Sequence, residues 1–461
     1  MTSAHPDEPV AFTFEGRTLS ARPGQSIASA ILQSGTPVLT RSFKYRRPRG
    51  YTCGYDICGN CPVTINGLPG VTSCTTPVRG GEVVHRERGW PSTERDLLRA
   101  TDLLARFFPA GFQFRLFRSR PRLAHLAEKV MGRVAGAGRF PTPQAARAVR
   151  TRTEVDAADV LVVGGGMSGC AAALGAAGTG ASVTLVHPGR LGGRANARDA
   201  IVTHDQETAP AAEVAGRLAS AVLAHHDIRV VDGFVMSYFE TGVIPVVADG
   251  LVLECRPKHL VVATGSYDVP GLFPGNDKPG VVLADGVSRL LRVDRVVPWR
   301  RAVVMTDGDR GRALADQLEE AGVEVVAIVV QPGAGDLPEP GPGSADRQLD
   351  DDRVLRGAVR AARGARALRA VDVEVEGRVR TLRADLLCVA LAPRPANDLA
   401  LQRQYVTAGT TQAVGGGWAG ADLSASTPGL SVVGSAAGWT GDDPDRARAV
   451  GAAAAGSTQG K

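Results

Sequence analysis

The sequence predicts a small α+β domain followed by a doubly wound α/β fold of two subdomains. Three observations carry this reading. Four of the seven cysteines fall between Cys53 and Cys74. "DVLVVGGGMSGCAAALGAA", Asp159 to Ala177, runs an apolar strand through closely spaced glycines into an alanine-rich helix. "RAVVMTDGDRGRALADQLEEAGVEVVAIVV", Arg301 to Val330, repeats the strand–helix–strand order.

The composition fits a chain that buries sizeable cores. It has 461 residues, 44% hydrophobic and 22% charged. The formal net charge of +6 comes from arginines scattered among acids, so nucleic-acid binding is not expected. No run of eighteen apolar residues occurs, and "MTSAHPDEPVAF" lacks a basic n-region and an apolar h-region. The expectation is a cytoplasmic chain without a membrane span. In that reducing compartment clustered cysteines read as metal ligands before disulfides.

Residues 1–8 read as a tail and 9–90 as the first domain. Ala11–Phe14 and Thr18–Ala21 form a hairpin turning at Glu15–Gly16, a helix follows, and "CPVTINGLPGVTSC" turns a second hairpin at Asn66–Gly67. Between them Cys53, Cys58 and Cys61 stand in C-x4-C-x2-C spacing, and Cys74 follows on the next strand. Three thiolates on one loop and a fourth on a strand is the plant-type [2Fe–2S] arrangement, which makes this a β-grasp, ferredoxin-like domain. Gly54 and Gly59 let the loop curl so that its amides face sulfur. Zinc is the alternative, but structural zinc sites favour paired C-x2-C knuckles and this stretch has one such pair. The basic run "RSFKYRRPRG" (Arg41, Lys44, Arg46, Arg47, Arg49) is either a solvated face or a set of cations favouring the reduced cluster or an acidic partner.

Residues 91–156 read as a helical, arginine-rich connector carrying Phe107, Phe108, Phe112, Phe114 and Phe117. Five phenylalanines so close together are candidates for an interface or for packing on the chain's own domains.

From 157 to 461 the pattern is a two-subdomain Rossmann-like FAD/NAD(P)-binding fold. Gly164, Gly166 and Gly169 form G-x-G-x-x-G between strand and helix: a tight turn, an open approach for a pyrophosphate, and close helix packing. The helix N-terminus offers amides and dipole to the phosphate. Cys170 reads as a buried structural residue. The next strand ends in His187 where an acid for the ribose is usual, and Gly192, Gly193 and Arg194 make a second glycine turn. Thr264 and Gly265 end a further strand at the crossover, and "PGLSVVGSAAG" places Gly434 before Ser435, where Asp is usual. Residues 296–390 form the second nucleotide subdomain. Its turn, Thr306 to Asp309, lacks a glycine pair and reads as structural rather than as an NAD(P)H site. Gln331–Gln348 reads as a Pro/Gly-rich surface loop.

The order of "RSFKYRRPRG", "FFPAGFQFRLF", "AGAG" (Ala135–Gly138), "ATGSYDVP" and "FPGNDKPGVVLADG" resembles the α subunits of the hetero-oligomeric sarcosine oxidase-like family. That family includes proline, hydroxyproline and opine dehydrogenases and hydrogen cyanide synthase. The length and the four cysteines resemble its short, iron–sulfur-bearing form. The resemblance implies FAD and a [2Fe–2S] cluster, an electron-transfer role, and amine or imino-acid oxidation in a separate flavoprotein β subunit of the amine-oxidase or glycine-oxidase type. It leaves room for a further small subunit. No catalytic His/Asp/Ser constellation accompanies the glycine turns, which fits that division of labour. A self-sufficient NAD(P)H-dependent reductase and a flavin-less structural subunit are the competing readings.

Overall fold

The computed structural model describes residues 8–43, 45–100, 141–198, 200–331, 353–407, 428–439 and 442–459. Lys44, the five connector phenylalanines, Ala135–Gly138 and the Pro/Gly-rich stretch after Gln331 lie outside the described residues. The chain divides into two units: Met1–Ala148 with Pro270–Ala392, and Val149–Val269 with Pro393–Lys461.

In the first unit, strands Val10–Phe14 and Arg17–Ala21 form the first hairpin. Its turn puts Glu15 at φ 49° and Gly16 at φ 77°, the paired positive angles that a tight two-residue connection requires. Pro62–Ile65 and Leu68–Thr72 form the second, turning at Asn66 and Gly67 with the same angles in kind. Val83–Arg86 joins the two hairpins, running parallel to Val10–Phe14 and antiparallel to Pro62–Ile65. Helix Ile27–Gln33 packs under this sheet. Ser26 caps it by accepting the Ser29 N–H at 3.2 Å, a contribution of about 1 kcal/mol. Ile27 and Ile31 are fully buried, each giving about 1.5–3 kcal/mol.

The same unit contains the second nucleotide-type subdomain. Its parallel sheet runs in the order Val281–Leu283, Leu386–Ala390, Arg301–Thr306, Glu324–Val330, Val354–Arg356. An antiparallel triplet, Ala358–Arg363, Ala370–Val375 and Arg378–Arg383, accompanies it. One continuous apolar core joins Phe12, Ile31, Tyr51 and Val84 of the cysteine domain to Val282, Leu290, Val304 and Leu386. The cysteine domain therefore folds as a partner of the second subdomain, a pairing that sequence distance conceals.

In the second unit an eight-stranded sheet has Val160–Val163 near its centre, between His259–Val262 and Val183–His187, with Leu430–Val432 beyond His259–Val262. These four strands are parallel and almost wholly buried, which explains their unbroken Val/Leu runs. Arg152–Asp156 falls in the stretch read as a helical connector, yet it forms a strand beside Leu251–Cys255. Glu154 holds it at the sheet edge through Arg152 at 2.7 Å and Arg229 at 2.8 Å.

Candidate functional site

The chemistry-bearing residues gather at two places, one in each unit. In the first unit the loop before Pro62–Ile65 carries Cys53, Cys58 and Cys61, and Cys74 lies just past Leu68–Thr72. Gly54 (φ 75°) and Gly59 (φ 63°) supply the left-handed turns. The four thiols converge: Cys53 hydrogen-bonds to Cys58 and Cys74, and Cys61 to Cys74. Cys53, Cys61 and Cys74 are buried, whereas Cys58 is half-buried at the open side.

The Ile57 N–H donates to Cys53 Sγ at 3.4 Å, so loop amides do face sulfur. Hydrogen bonds from Cys58 and Cys74, then from Tyr55 and Ile57 N–H, bring the Cys53 thiol down to about 2 against its burial. Its partners Cys58 and Cys74 are pushed up. Among the described residues, single-ion groupings of three ligands within 4.8 Å occur at His225–His226–Asp227 and His204–Asp205–Asp445. The four cysteines are not among these groups, and their thiols form a continuous chain, Cys58–Cys53–Cys74–Cys61.

A structural surprise lies behind the loop. Helix Ala284–Ser288 of the second subdomain backs it so closely that a Cβ on Gly286 would meet Thr52 O at 2.7 Å and the Cys53 carbonyl group at 3.1 Å. Leu283 N–H donates to Thr52 O at 2.9 Å, and the buried Tyr51 hydroxyl donates to Gly286 O at 3.2 Å. Sequence reasoning missed this helix because more than two hundred residues separate it from the cysteines. The quoted "VVLADG" was the visible trace.

Among the described members of the basic run, Arg41 and Arg49 are engaged by the protein itself. Arg41 is buried and donates to Thr93 O at 2.6 Å and Arg46 O at 2.7 Å, while facing Asp96 at 3.7 Å. Arg49 pairs with Asp277, and the Arg47 guanidinium lies 5.1 Å from the Tyr45 ring. These arginines mainly bind the domain's own backbone and neighbouring segments.

In the second unit the strand ends supply the other site. Gly164 takes φ 111°, and a Cβ there would lie 2.2 Å from Ala263 O. A Cβ on Gly169 would lie 1.8 Å from Gly164 O, so only glycine lets the helix pack on the strand. At Gly166, the cap of helix Met167–Ala177, an added Cβ meets nothing within 4 Å. That open space, in front of unpaired helix amides, is the shape that receives a phosphate. Gly192 and Gly193, both at positive φ, abut this turn: Gly192 N–H donates to Gly165 O at 2.8 Å. Arg194 reaches Ser266 Oγ at 3.2 Å.

Thr264 and Gly265 end the neighbouring strand. The Thr264 hydroxyl donates to Ala396 O, and Gly265 O accepts Ala396 N–H at 2.9 Å. Gly434, at φ 65°, faces Ser168 at the helix start, with Ser435 half-buried beside it. Cys170 is buried, its thiol pushed up to about 11 by burial, as suits a structural residue.

His187 is buried with its ring base against Gly165. Burial lowers its pKa despite Asp232 and the Pro188 backbone, which favours the neutral imidazole. The acid at this edge is Asp232, paired in register with His187 one strand over, and its carboxylate accepts Gly189 N–H at 2.7 Å. A search along one strand for a terminal acid misses it.

In the corresponding turn of the second subdomain, side chains bond the turn's own backbone and neighbouring loops, although the space at Gly308 is open. Thr306 Oγ1 donates to Gly308 O at 2.7 Å and accepts Gly308 N–H at 3.1 Å. Asp307 accepts Ala392 N–H at 3.0 Å, and Arg310 pairs with Asp285 at 2.7 Å.

Comparison with known proteins agrees with this geometry. Residues 7–89 match the 2Fe-2S iron-sulfur cluster binding domain, and residues 159–265 match the FAD dependent oxidoreductase domain. Both cofactor classes thus have a domain in this chain, and the cysteines and the glycine turn fit them. The chain is 31% identical over 416 residues to the sarcosine oxidase subunit alpha of Rhizobium meliloti (strain 1021), covering 86% of this chain and 41% of that protein. It is 26% identical over 423 residues to the subunit of the same name from Corynebacterium sp. (strain P-1), covering 86% and 38%. The chain therefore spans about two fifths of the length of these relatives. The crystal structure of L-proline dehydrogenase from P. horikoshii shares the fold with a TM-score of 0.64 at 19% identity, covering 98% of this chain and 73% of that one. No helix among the described residues is long and apolar enough to cross a membrane. The chain is thus similar to sarcosine oxidase α subunits over most of its own length, and it combines a 2Fe-2S-type domain with a FAD-dependent oxidoreductase domain.

Proposed function

We propose that this chain is the electron-transfer α subunit of a flavin-dependent amine or imino-acid dehydrogenase or oxidase, with substrate oxidation in a separate flavoprotein β subunit. When bound, the flavin would take electrons in pairs and release them one at a time, and the cluster would carry them singly. Cys53, Cys58, Cys61 and Cys74 would hold the cluster. Gly164, Gly166, Gly169, Gly192, Gly193, Arg194, Thr264, Gly265 and Gly434 would line the flavin site, with His187 and Asp232 at its edge.

The observation that carries the reading is the makeup of the glycine-turn site. Among the described residues at this turn, His187 is the imidazole, it is buried with its pKa lowered, and the nearby hydroxyls of Thr264 and Ser266 are engaged by the chain's own groups. A base weakened by burial, beside hydroxyls already engaged, suits holding a cofactor better than taking a proton from an amine. The relatives' names, one for sarcosine and one for L-proline, support a secondary-amine or imino-acid donor. The self-sufficient reductase is less well supported, because the Thr306–Asp309 turn spends its phosphate-facing groups on itself.

The test uses the full chain purified from its native host. Alone, with sarcosine, proline, hydroxyproline or glycine and an artificial acceptor, it should show no turnover. Co-purification should recover a second flavoprotein chain. Robust turnover by the single chain would contradict the proposal.

A further inference from the structure

The loop that carries the cysteines is negatively charged once its thiols are ionised, and a buried cation stands against it. Arg289 directly follows helix Ala284–Ser288, which backs the loop. Its guanidinium carbon lies 5.3 Å from the ring centroid of Tyr55, two residues after Cys53 in the loop between Cys53 and Cys58. The side chain is 20% exposed, and its Nε makes no hydrogen bond. Its carboxylate neighbour is Asp294, at 3.9 Å, whose side chain is 1% exposed.

Asp294 is itself occupied elsewhere: it accepts the Ser26 N–H at 3.2 Å and the Ser26 hydroxyl at 3.0 Å. The positive charge is thus only partly offset and faces the loop. Burial pulls the Arg289 guanidinium down, yet its acidic neighbours, Asp294 among them, raise it overall, so the cation is retained.

We propose that Arg289, contributed by the second nucleotide-type subdomain, is the cation that sets the reduction potential of the cluster held by Cys53, Cys58, Cys61 and Cys74. This rests on the cluster occupying those cysteines. A [2Fe–2S] centre with four thiolates carries a charge of −2 when oxidised and −3 after taking one electron, with no bond made or broken. A fixed cation in a low-dielectric setting stabilises the more negative state and raises the potential. The second subdomain then has a use that requires no nucleotide: it holds a charge and a helix against the cluster loop.

The test is an EPR-monitored redox titration of the full chain with dithionite, preceded by an iron assay on every variant. Arg289→Gln should keep its iron and shift the midpoint to more negative values. Arg289→Lys, which keeps the charge, should stay close to the parent. Asp294→Asn, which removes the offsetting carboxylate, should shift the midpoint to more positive values. An iron-loaded Arg289→Gln with the parent's midpoint would overturn the proposal, as would Arg289→Lys shifting as far as Arg289→Gln. If Arg289→Gln loses iron, Asp294→Asn decides, and an unchanged midpoint there overturns the idea. A parent chain without iron would instead refute the cluster assignment beneath it.

Discussion

Two turns in this chain share a plan and differ in what fills them. Val160–Val163 and Arg301–Thr306 are both buried parallel strands that turn into a helix and return as a second strand. In the first turn, glycines stand at 164, 165 and 166, so the turn itself carries no side chain toward the helix start. In the second, Thr306 bonds the turn internally and Asp307 reaches across to Ala392. A carboxylate in the first turn of helix Asp309–Glu320 also satisfies the dipole that a phosphate would meet. Fold repetition alone therefore does not make a nucleotide site. The contents of the turn decide.

Substitutions sharpen the contrast. The largest effect should come at Gly169: valine there forces backbone against backbone, costing more than about 4 kcal/mol and unfolding the second unit, as thermal melts would report. Next comes a matched pair, Gly166→Val and Gly308→Val. Neither new side chain meets protein within 4 Å at its Cβ, so both variants should fold. Only Gly166→Val should lose flavin, measured by absorbance of the purified protein. Equal flavin loss in both would break the comparison.

A smaller effect concerns pH. His259 bonds Ser457 and Ser431, and burial, helped by Arg403, lowers its pKa to about 4. The unfolded imidazole takes its proton near the ordinary 6.5 while the folded one does not. Stability of the second unit should thus fall from about pH 6.5 toward about pH 4, by ~1–2 kcal/mol after allowance for solvent. His259→Gln should flatten that part of a denaturation profile, and an unchanged slope would exclude His259 as its source. Smallest of all, Thr306→Ala should cost about 1 kcal/mol in the first unit and leave flavin content unaltered.

Local signals made much of this legible. Glu15–Gly16 and Asn66–Gly67 announce their hairpins because positive φ restricts residue choice to few types. The cysteine spacing and the G-x-G-x-x-G turn are likewise set by chemistry acting over a few residues. What stayed hidden is long-range. The pairing of the cysteine domain with residues 270–392 depends on apolar faces that look alike wherever they pack. The basic run Arg41–Arg49 reads as a charge source, yet its members hold Thr93, Arg46 and Asp277, while Arg289 stands at the loop. Asp232 escaped notice because strand register, not sequence order, sets it beside His187.

The most direct test of the account is the cofactor content of the full chain from its native host, measured after denaturation. The account predicts FAD as the one released nucleotide, accompanied by two irons and two acid-labile sulfides per flavin. Release of NAD or ATP without flavin, or zinc without iron and sulfide, would contradict it.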